Sequence, residues 1–240
     1  MCSRYFLDAD GNIIAFTFRV PVHDGIRKRF NIAPTQEAPV VRAAKDGSRE
    51  AAMLRWGLVP FWAKDLKIGS QMINARAETV AEKPAFRSAL QQRRCIVPAT
   101  GFFEWRGEPG RKQAFAITVP GRALFGFAGL WERWKPKDGT GAPVETFTIV
   151  TTDANASVAP IHDRMPVILP EAAYDEWLFG TADAALTLLK PYASDVDTRP
   201  IGALVGNSRN DVPEVLADAP ATPPEPPTAE PKKGETPSLF

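Results

Sequence analysis

Short, strand-like apolar runs are the feature of this chain that most restricts its fold. They combine β-branched and aromatic residues between Gly, Pro and Asp, and they cover 12–18, 95–98, 115–119, 124–130 and 146–151. Helical patterns are fewer and are predicted at 84–92, 171–178 and 182–189. Because strands and helices do not alternate regularly, the pattern predicts an α+β fold: a single domain with a curved, barrel-like antiparallel β core and a few flanking helices.

The composition changes sharply near the C-terminal end. The chain has 240 residues, of which 44% are hydrophobic, enough for one substantial core. Residues 219–240 are instead rich in Pro, Glu and Thr and hold almost no large apolar side chain before Leu239. Such a segment cannot offset its ordering entropy by burial. We therefore predict a folded domain at 1–218 and a disordered, proline-rich tail at 219–240.

Charge and cysteine content restrict the functional class. The net charge is +1, from 29 basic and 28 acidic residues, so any basic surface for nucleic acid must be local. Two cysteines exclude a disulfide framework, and Cys95, within an apolar run, is predicted to be a buried core thiol. The sequence has neither a signal segment nor an apolar run long enough to span a bilayer. We expect a cytoplasmic, monomeric protein without membrane contact.

Common catalytic signatures are missing from the sequence. It contains no GxSxG elbow, no P-loop, no GxGxxG and no HExxH. The two histidines and two cysteines are too far apart along the chain to provide a ligand pair with zinc spacing. His23, among polar residues beside Pro and Gly, is interpreted as a surface loop residue. We expect no metal and no cofactor, and His162 remains as the candidate catalytic imidazole.

Cys2 directly follows the initiator methionine, and its small side chain permits removal of Met1. The product would be a 1,2-aminothiol, with an amine pKa of about 7.7–8.0 and a thiol pKa of about 8.5 in the unperturbed state. The amine can form a Schiff base with an aldehyde, and the thiol can then close a thiazolidine on the same carbon. The same thiol could equally attack an acyl group, so position alone does not decide the chemistry.

Four segments place a polar or reactive group two residues before an arginine. The pairs are Cys2 with Arg4, Asn74 with Arg76, Glu104 with Arg106, and His162 with Arg164. In an extended chain, positions i and i+2 project to the same face. Each segment is therefore able to present a chemical group together with a phosphate-binding cation.

Each of these polar residues also has a structural interpretation. Glu104 interrupts an aromatic run, where a desolvated carboxylate would make a good proton shuttle, but strand alternation would instead direct it to solvent. Asn74 suits a turn or a cap, and Arg76 suits an ion pair with Glu78. His162 suits a loop held by its polar neighbours. Considered one at a time, these residues leave the function open.

Seven blocks taken together resemble one known family. They are MCSRY at 1–5, WGLVPFW at 56–62, NARAET at 74–79, RRCIVPATGFFEW at 93–105, FAGLWE at 127–132, TTDAN at 151–155 and HDRMP at 162–166. Their identity and order resemble the SRAP family, the SOS response-associated peptidases, over nearly all of 1–218. The tail lies outside the resemblance.

The resemblance implies a DNA-damage protein that binds abasic sites in single-stranded DNA and joins them covalently through its processed N-terminal cysteine. The implied catalytic residues are Cys2, Asn74, Glu104 and His162. It further implies phosphate binding by Arg76 and Arg164, and we expect Arg4 to add a phosphate contact. Trp62 and Trp105 are candidates for base stacking, although core packing is an equal alternative for Trp105.

Two other functions remain open from the sequence. The first is an N-terminal-nucleophile amidohydrolase or peptidase, in which the Cys2 thiol attacks an amide and the α-amine is the base. The second is a non-enzymatic reader of modified DNA that uses Arg76 and Arg164 alone. Removal of Met1 by the protein itself would fit the peptidase name.

Overall fold

A computed structural model describes residues 2–108, 111–137 and 141–220 of the chain. The strands in these ranges are β1 (Tyr5–Leu7), β2 (Arg29–Ile32), β3 (Glu37–Ala43), β4 (Arg49–Trp56), β5 (Asn74–Arg76), β6 (Arg94–Ala99), β7 (Gly101–Arg106), β8 (Gln113–Thr118), β9 (Phe125–Trp134), β10 (Val144–Asp153), β11 (Arg164–Pro166), β12 (Ile168–Leu169) and β13 (Asp197–Ile201). The helices are α1 (Gly11–Phe18), α2 (Arg87–Gln92), α3 (Tyr174–Phe179) and α4 (Ala182–Thr187). Short 3-10 turns cover Leu66–Gln71, Glu171–Ala173, Ala203–Gly206 and Pro213–Leu216.

A closed barrel forms the centre of the fold. Strands β10, β4, β3, β6 and β9 pair in that order, and β9 pairs again with β10, which closes the ring. The pairs are antiparallel apart from β4 with β10, where Arg55 lies opposite Thr146 in a parallel register. Short strands extend the barrel: β5 and β11 on β10, and β12 on β9. The predicted fold class, an α+β single domain on a barrel-like core, is confirmed.

A second, antiparallel sheet carries the N-terminal segment. Its strand order is β13, β8, β7, β1 and β2. Tyr5 of β1 packs edge-on against Trp56 of β4, with ring centroids 5.3 Å apart, and against Phe127 of β9 at 6.1 Å. All three rings are fully buried. These aromatic contacts fix the start of β1, three residues after Cys2, against the barrel.

The first predicted strand, 12–18, is wrong, because the segment is helix α1. The Asp10 side chain accepts hydrogen bonds from the backbone N–H groups of Asn12 and Ile13, at 3.0 and 3.1 Å, and so caps the helix. Ile14 and Phe18, four residues apart, are buried on one side. The cap and the 3.6-residue spacing therefore prevail over the β propensity of the run.

The remaining predicted elements correspond to observed ones. The runs at 95–98, 115–119, 124–130 and 146–151 lie in or overlap β6, β8, β9 and β10. The helix predicted at 171–178 is a 3-10 turn followed by α3, and that at 182–189 is α4. The helix predicted at 84–92 begins only at Arg87, because the Phe86 and Arg87 N–H groups both bond the Lys83 carbonyl in a preceding turn.

The C-terminal boundary of the domain can be followed to the last described residues. Asp218 forms a β-bridge with Ile201, and the Ala219 N–H donates to the Pro200 carbonyl at 3.2 Å. Residues 221–240 of the predicted tail lie outside the described residues. Within the described ranges, none of the helices combines the length and apolarity needed to cross a membrane.

Candidate functional site

Pairing of β1 with β7 brings the N-terminal residues to the Glu104 strand. Tyr5 lies opposite Phe102, and the Phe103 N–H donates to the Arg4 carbonyl at 3.0 Å. Cys2 is fully buried, and its Sγ lies 3.8 Å from the same Arg4 carbonyl, which accepts a weak S–H hydrogen bond. The second residue of the chain is therefore held beside the strand that carries Glu104.

Glu104 is a buried carboxyl group, 2% exposed, although its strand ends two residues later at the exposed Arg106. Its Oε1 has no hydrogen-bond partner among the described residues. Burial raises the pKa of Glu104 to about 7, because desolvation disfavours the charged carboxylate. The carboxyl is therefore buried and desolvated, and the alternative in which Glu104 faces solvent is wrong.

His162 lies next to this carboxyl group. Its Nε2 is 4.0 Å from Glu104 Oε2, and its backbone N–H donates to the Val158 carbonyl at 3.0 Å, which fixes the turn before β11. Burial lowers the pKa of His162, so the neutral imidazole is favoured near neutral pH. A neutral ring beside a carboxyl of pKa about 7 is suited to exchange a proton in either direction.

Two groups compete for the other ring nitrogen of His162. Nδ1 lies 2.9 Å from the Arg164 N–H and 2.8 Å from the Asp163 carboxylate. One nitrogen cannot accept from the amide and donate to the carboxylate at the same time. The amide contact therefore belongs to the tautomer with its proton on Nε2, towards Glu104, and the carboxylate contact belongs to the states with a proton on Nδ1.

The Cys2 thiol is protonated in this environment. Burial raises the pKa of Cys2 well above its ordinary value, and the nearby Glu104 carboxylate raises it further. A buried S–H is a poor nucleophile. Cys95 is buried in the main core, and its pKa is also raised by burial, so the predicted core thiol is confirmed.

Seven of the nine predicted site residues line two cavities, whereas Cys2 and Arg164 line neither of them. Glu104, His162, Arg4 and Trp105 line a cavity of about 350 Å³ together with Ser3, Lys112 and Gly206. Asn74, Arg76 and Trp62 line a separate groove of about 390 Å³ that is mainly apolar. The structure thus brings the carboxyl and imidazole together and places the amide on a neighbouring surface.

Strand β10 connects these two surfaces. Its residue Ile149 lies opposite Asn74 on β5, and Asp153 lies opposite Arg164 on β11. The Asn74 Nδ2 donates to the Ile73 carbonyl at 3.0 Å, and its Oδ1 is buried with no hydrogen-bond partner in the described part of the chain. That oxygen is an unused acceptor at the edge of the groove.

Arg164, which is predicted to bind a phosphate, is a buried cation in the structure. It is 9% exposed, and its guanidinium donates to both oxygens of Glu78 at 2.9 Å, to Asp153 at 2.6 Å and to the Thr151 carbonyl at 2.8 Å. Two carboxylates therefore hold it in the resting protein. Arg76, by contrast, is exposed at the groove.

Several residues of the site were not found from the sequence. Asn31 is fully buried and accepts a hydrogen bond from Arg4 at 2.9 Å, while Ser3, Lys112 and Gly206 complete the cavity wall. Of these residues, only Asn31 could have been noticed in the sequence, because it is a polar residue inside the apolar stretch FNIA. The Arg4 guanidinium, predicted as a phosphate contact, donates this partly buried hydrogen bond and a second one to the Val205 carbonyl at 2.8 Å.

The described residues contain no group of three or more His, Cys, Asp or Glu side chains arranged to hold a metal ion. A carboxyl with a raised pKa, a neutral imidazole beside it and a buried cysteine at the second position form a cluster that is able to transfer protons.

Comparison with known proteins gives the family. Residues 1–208 match the family model for SOS response associated peptidase (SRAP). The chain is 41% identical over 225 residues to the abasic site processing protein YoqW of Bacillus subtilis, covering 90% of this chain and 99% of that one. It is 31% identical to the abasic site processing protein HMCES of Xenopus tropicalis, covering 81% of this chain and 67% of that one. The chain belongs to the SRAP family.

Solved structures agree with this assignment. A Bacteroides thetaiotaomicron protein superimposes with a TM-score of 0.82 at 31% identity, covering 91% of this chain and all of the other. A Bordetella bronchiseptica protein gives a TM-score of 0.73 at 28% identity, covering 84% and 100%. The barrel with its attached second sheet is therefore a recurrent architecture.

Proposed function

We propose that this protein traps abasic sites in single-stranded DNA and, after removal of Met1, joins them covalently through Cys2. The observation that carries the proposal is Glu104: a buried carboxyl of pKa about 7, close enough to Cys2 to perturb its thiol and 4.0 Å from His162. The relatives named as abasic site processing proteins support the same substrate.

The reaction begins with the closed sugar. An abasic deoxyribose is mainly a cyclic hemiacetal, and opening it transfers the proton of the C1′ hydroxyl to the ring oxygen. His162 mediates this transfer, because the neutral ring can accept a proton at one nitrogen and donate from the other. The product is the open-chain C1′ aldehyde.

The covalent step uses both groups of the processed Cys2. Glu104 accepts a proton from the α-ammonium, and the free amine adds to the C1′ aldehyde to give a carbinolamine, which loses water to form an imine. The thiol then adds to the imine carbon, and its proton passes to the nitrogen, closing the thiazolidine. The net change is the loss of one water, without oxidation or reduction. Asn74 lines the neighbouring groove, and in this proposal its amide contacts the DNA beside the reacting sugar.

The order of bond formation follows from burial. A thiol whose pKa is raised by burial stays protonated during the first attack, so the amine reacts first. Once the imine has formed, its carbon is within reach of the thiol of the same residue. Ring closure consumes the imine that would otherwise promote strand cleavage by β-elimination.

The groove beside the site supplies the DNA contacts in this proposal. Arg76 is exposed and binds a phosphate, while Trp62, 41% exposed, stacks on a base. Trp105 lines the sugar cavity. Arg164 contacts a phosphate only when that phosphate takes the place of the Asp153 carboxylate. With a net charge of +1, we expect a salt dependence equivalent to a few phosphate contacts.

A uracil-containing oligonucleotide treated with uracil glycosylase tests the proposal. After incubation with the purified protein, a denaturing gel should show a shifted band that survives boiling. Cys2→Ala should give none, while Cys95→Ala should retain it because that thiol lies in the core. A stable band with Cys2→Ala, or none with the wild type lacking Met1, would reject the proposal.

The family description as a peptidase supports a second activity of the same site, removal of Met1. In that reaction Glu104 and His162 would transfer protons during cleavage of the Met1–Cys2 bond. Expression in cells without methionine aminopeptidase activity tests this, with intact mass as the measurement. Loss of Met1 from the wild type but not from Glu104→Gln would support self-processing. Turnover of peptides without a DNA adduct would instead favour an amidohydrolase.

A further inference from the structure

A nucleophile at the end of a chain must be held in position by contacts with the rest of the fold. Terminal residues fray unless side chains or backbone pairing hold them, and a reaction at a fixed sugar depends on the placement of the attacking atom. In this fold regular pairing of β1 with β7 begins at Tyr5, after Arg4 and Cys2. The residues between the amine and the first strand must therefore be fixed by other contacts.

Arg4 provides these contacts on both sides. Its backbone carbonyl accepts from the Phe103 N–H at 3.0 Å, one residue before Glu104. Its guanidinium Nη1 donates to Asn31 Oδ1 at 2.9 Å and to the Val205 carbonyl at 2.8 Å. An arginine bonded in this way cannot rotate away without breaking several hydrogen bonds.

Asn31 holds the other half of this contact. Its side chain is fully buried in β2, and its Nδ2 lies within 3.0–3.2 Å of three backbone carbonyls, those of Val205, Asn207 and Asn210. Its own backbone N–H donates to the Asp211 carboxylate at 3.0 Å. One amide therefore joins Arg4 to the 203–211 segment, which also supplies Gly206 to the cavity wall.

We infer that Asn31 is a positioning residue for the aldehyde-trapping reaction: through Arg4 it fixes the Cys2 amine and thiol against Glu104. The inference rests on the proposed function. In this inference the main role of Arg4 is to hold the N-terminal segment and not to bind phosphate. We call its hydrogen bonds to Asn31 and to the Val205 carbonyl the Arg4 clamp. Asn31 acts on the reaction only through Arg4.

Single-turnover crosslinking of an abasic oligonucleotide separates positioning from binding. We expect Asn31→Ala and Arg4→Gln to lower the maximal rate at saturating DNA by about tenfold or more, since misplacement of reacting groups is costly. The half-saturating DNA concentration and the salt dependence should stay within about twofold of the wild type. Arg4→Gln decides the matter if Asn31→Ala does not fold, as judged by its thermal melt.

Arg199→Gln is the matched control. Arg199 also ties a strand to a backbone carbonyl, that of Leu216 at 2.8 Å, but it belongs to β13 and not to the Arg4 clamp. It should crosslink at the wild-type rate. A second measurement uses formaldehyde, which needs no positioning: all variants should form the Cys2 thiazolidine adduct at similar rates by intact mass.

The possible results distinguish the inference from the proposed function. An unchanged maximal rate in a folded Arg4→Gln variant overturns the clamp. A higher half-saturating DNA concentration in Arg4→Gln, together with a salt dependence of DNA affinity that is smaller by about one phosphate contact, also overturns it. That result would identify Arg4 as a phosphate contact. If the wild type without Met1 fails to crosslink abasic DNA, the proposed function itself is wrong.

Discussion

Replacement of Glu104 by Gln should stabilise the folded protein at alkaline pH. The carboxyl is 2% exposed, and its Oε1 has no hydrogen-bond partner among the described residues, so its ionised form is held in an unfavourable environment. Gln has nearly the same shape and carries no charge. A residue kept for chemistry at the expense of stability should show this behaviour.

The size of this stabilisation follows from the pKa of Glu104. Burial raises this pKa from 4.5 to about 7, and the difference corresponds to about 3 kcal/mol of unfolding free energy. In this range the folded state binds more protons than the unfolded state. The wild type therefore loses this stability as pH rises from about 4.5 to about 7 and remains without it at higher pH. Glu104→Gln should be more stable by up to about 3 kcal/mol at pH 8.5 and similar at pH 4.5.

Urea unfolding at the two pH values measures the difference, with mass spectrometry confirming the same N-terminus in both proteins. Glu132→Gln is the matched control, because Glu132 is also buried but forms an ion pair with Arg93 at 2.8 Å. This variant should be destabilised at pH 8.5. A Glu104→Gln variant that is no more stable than the wild type at pH 8.5 would refute a desolvated, raised-pKa carboxyl.

Three further outcomes are expected. The wild-type crosslinking rate should rise with pH, with an apparent pKa of about 7. In Glu104→Gln this pH dependence should vanish, and the rate should fall by about 10²- to 10⁴-fold. The same pH profile in both proteins would exclude Glu104 as the proton acceptor. Asp153→Asn frees a donor of Arg164, so fluorescence anisotropy should show severalfold tighter DNA binding at low salt; unchanged affinity would place this arginine outside the DNA contacts. Gly101→Ala places a Cβ 2.5 Å from the Phe6 ring and should cost about 1–3 kcal/mol in urea unfolding, whereas wild-type stability would contradict the tight packing of β7.

The sequence was informative about the fold where local pattern decides structure. Apolar runs such as 95–98 and 146–151 predicted strands because bulky, β-branched side chains suit a pleated, buried surface. The 12–18 run has the same composition, but capping by Asp10 makes it a helix. Closure of the barrel by β9 and β10 depends on a long-range register that no local pattern encodes.

The site shows the same division between local and long-range information. Glu104 stood out because a carboxylate among aromatic residues is unusual, and the structure confirms its burial. The carboxylates around Arg164 could not be predicted, because the register of β10 with β11 places Asp153 opposite it. Asn31 reaches Arg4 only after β2 pairs with β1, and its partners in the 203–211 segment lie far along the chain.

Intact mass of the product formed with an abasic oligonucleotide is the decisive measurement of covalent trapping by Cys2. We expect a single species equal in mass to the protein without Met1 plus the oligonucleotide minus one water, with the modification mapped to Cys2 after digestion. An adduct on any other residue, or on a chain that retains Met1, would contradict it.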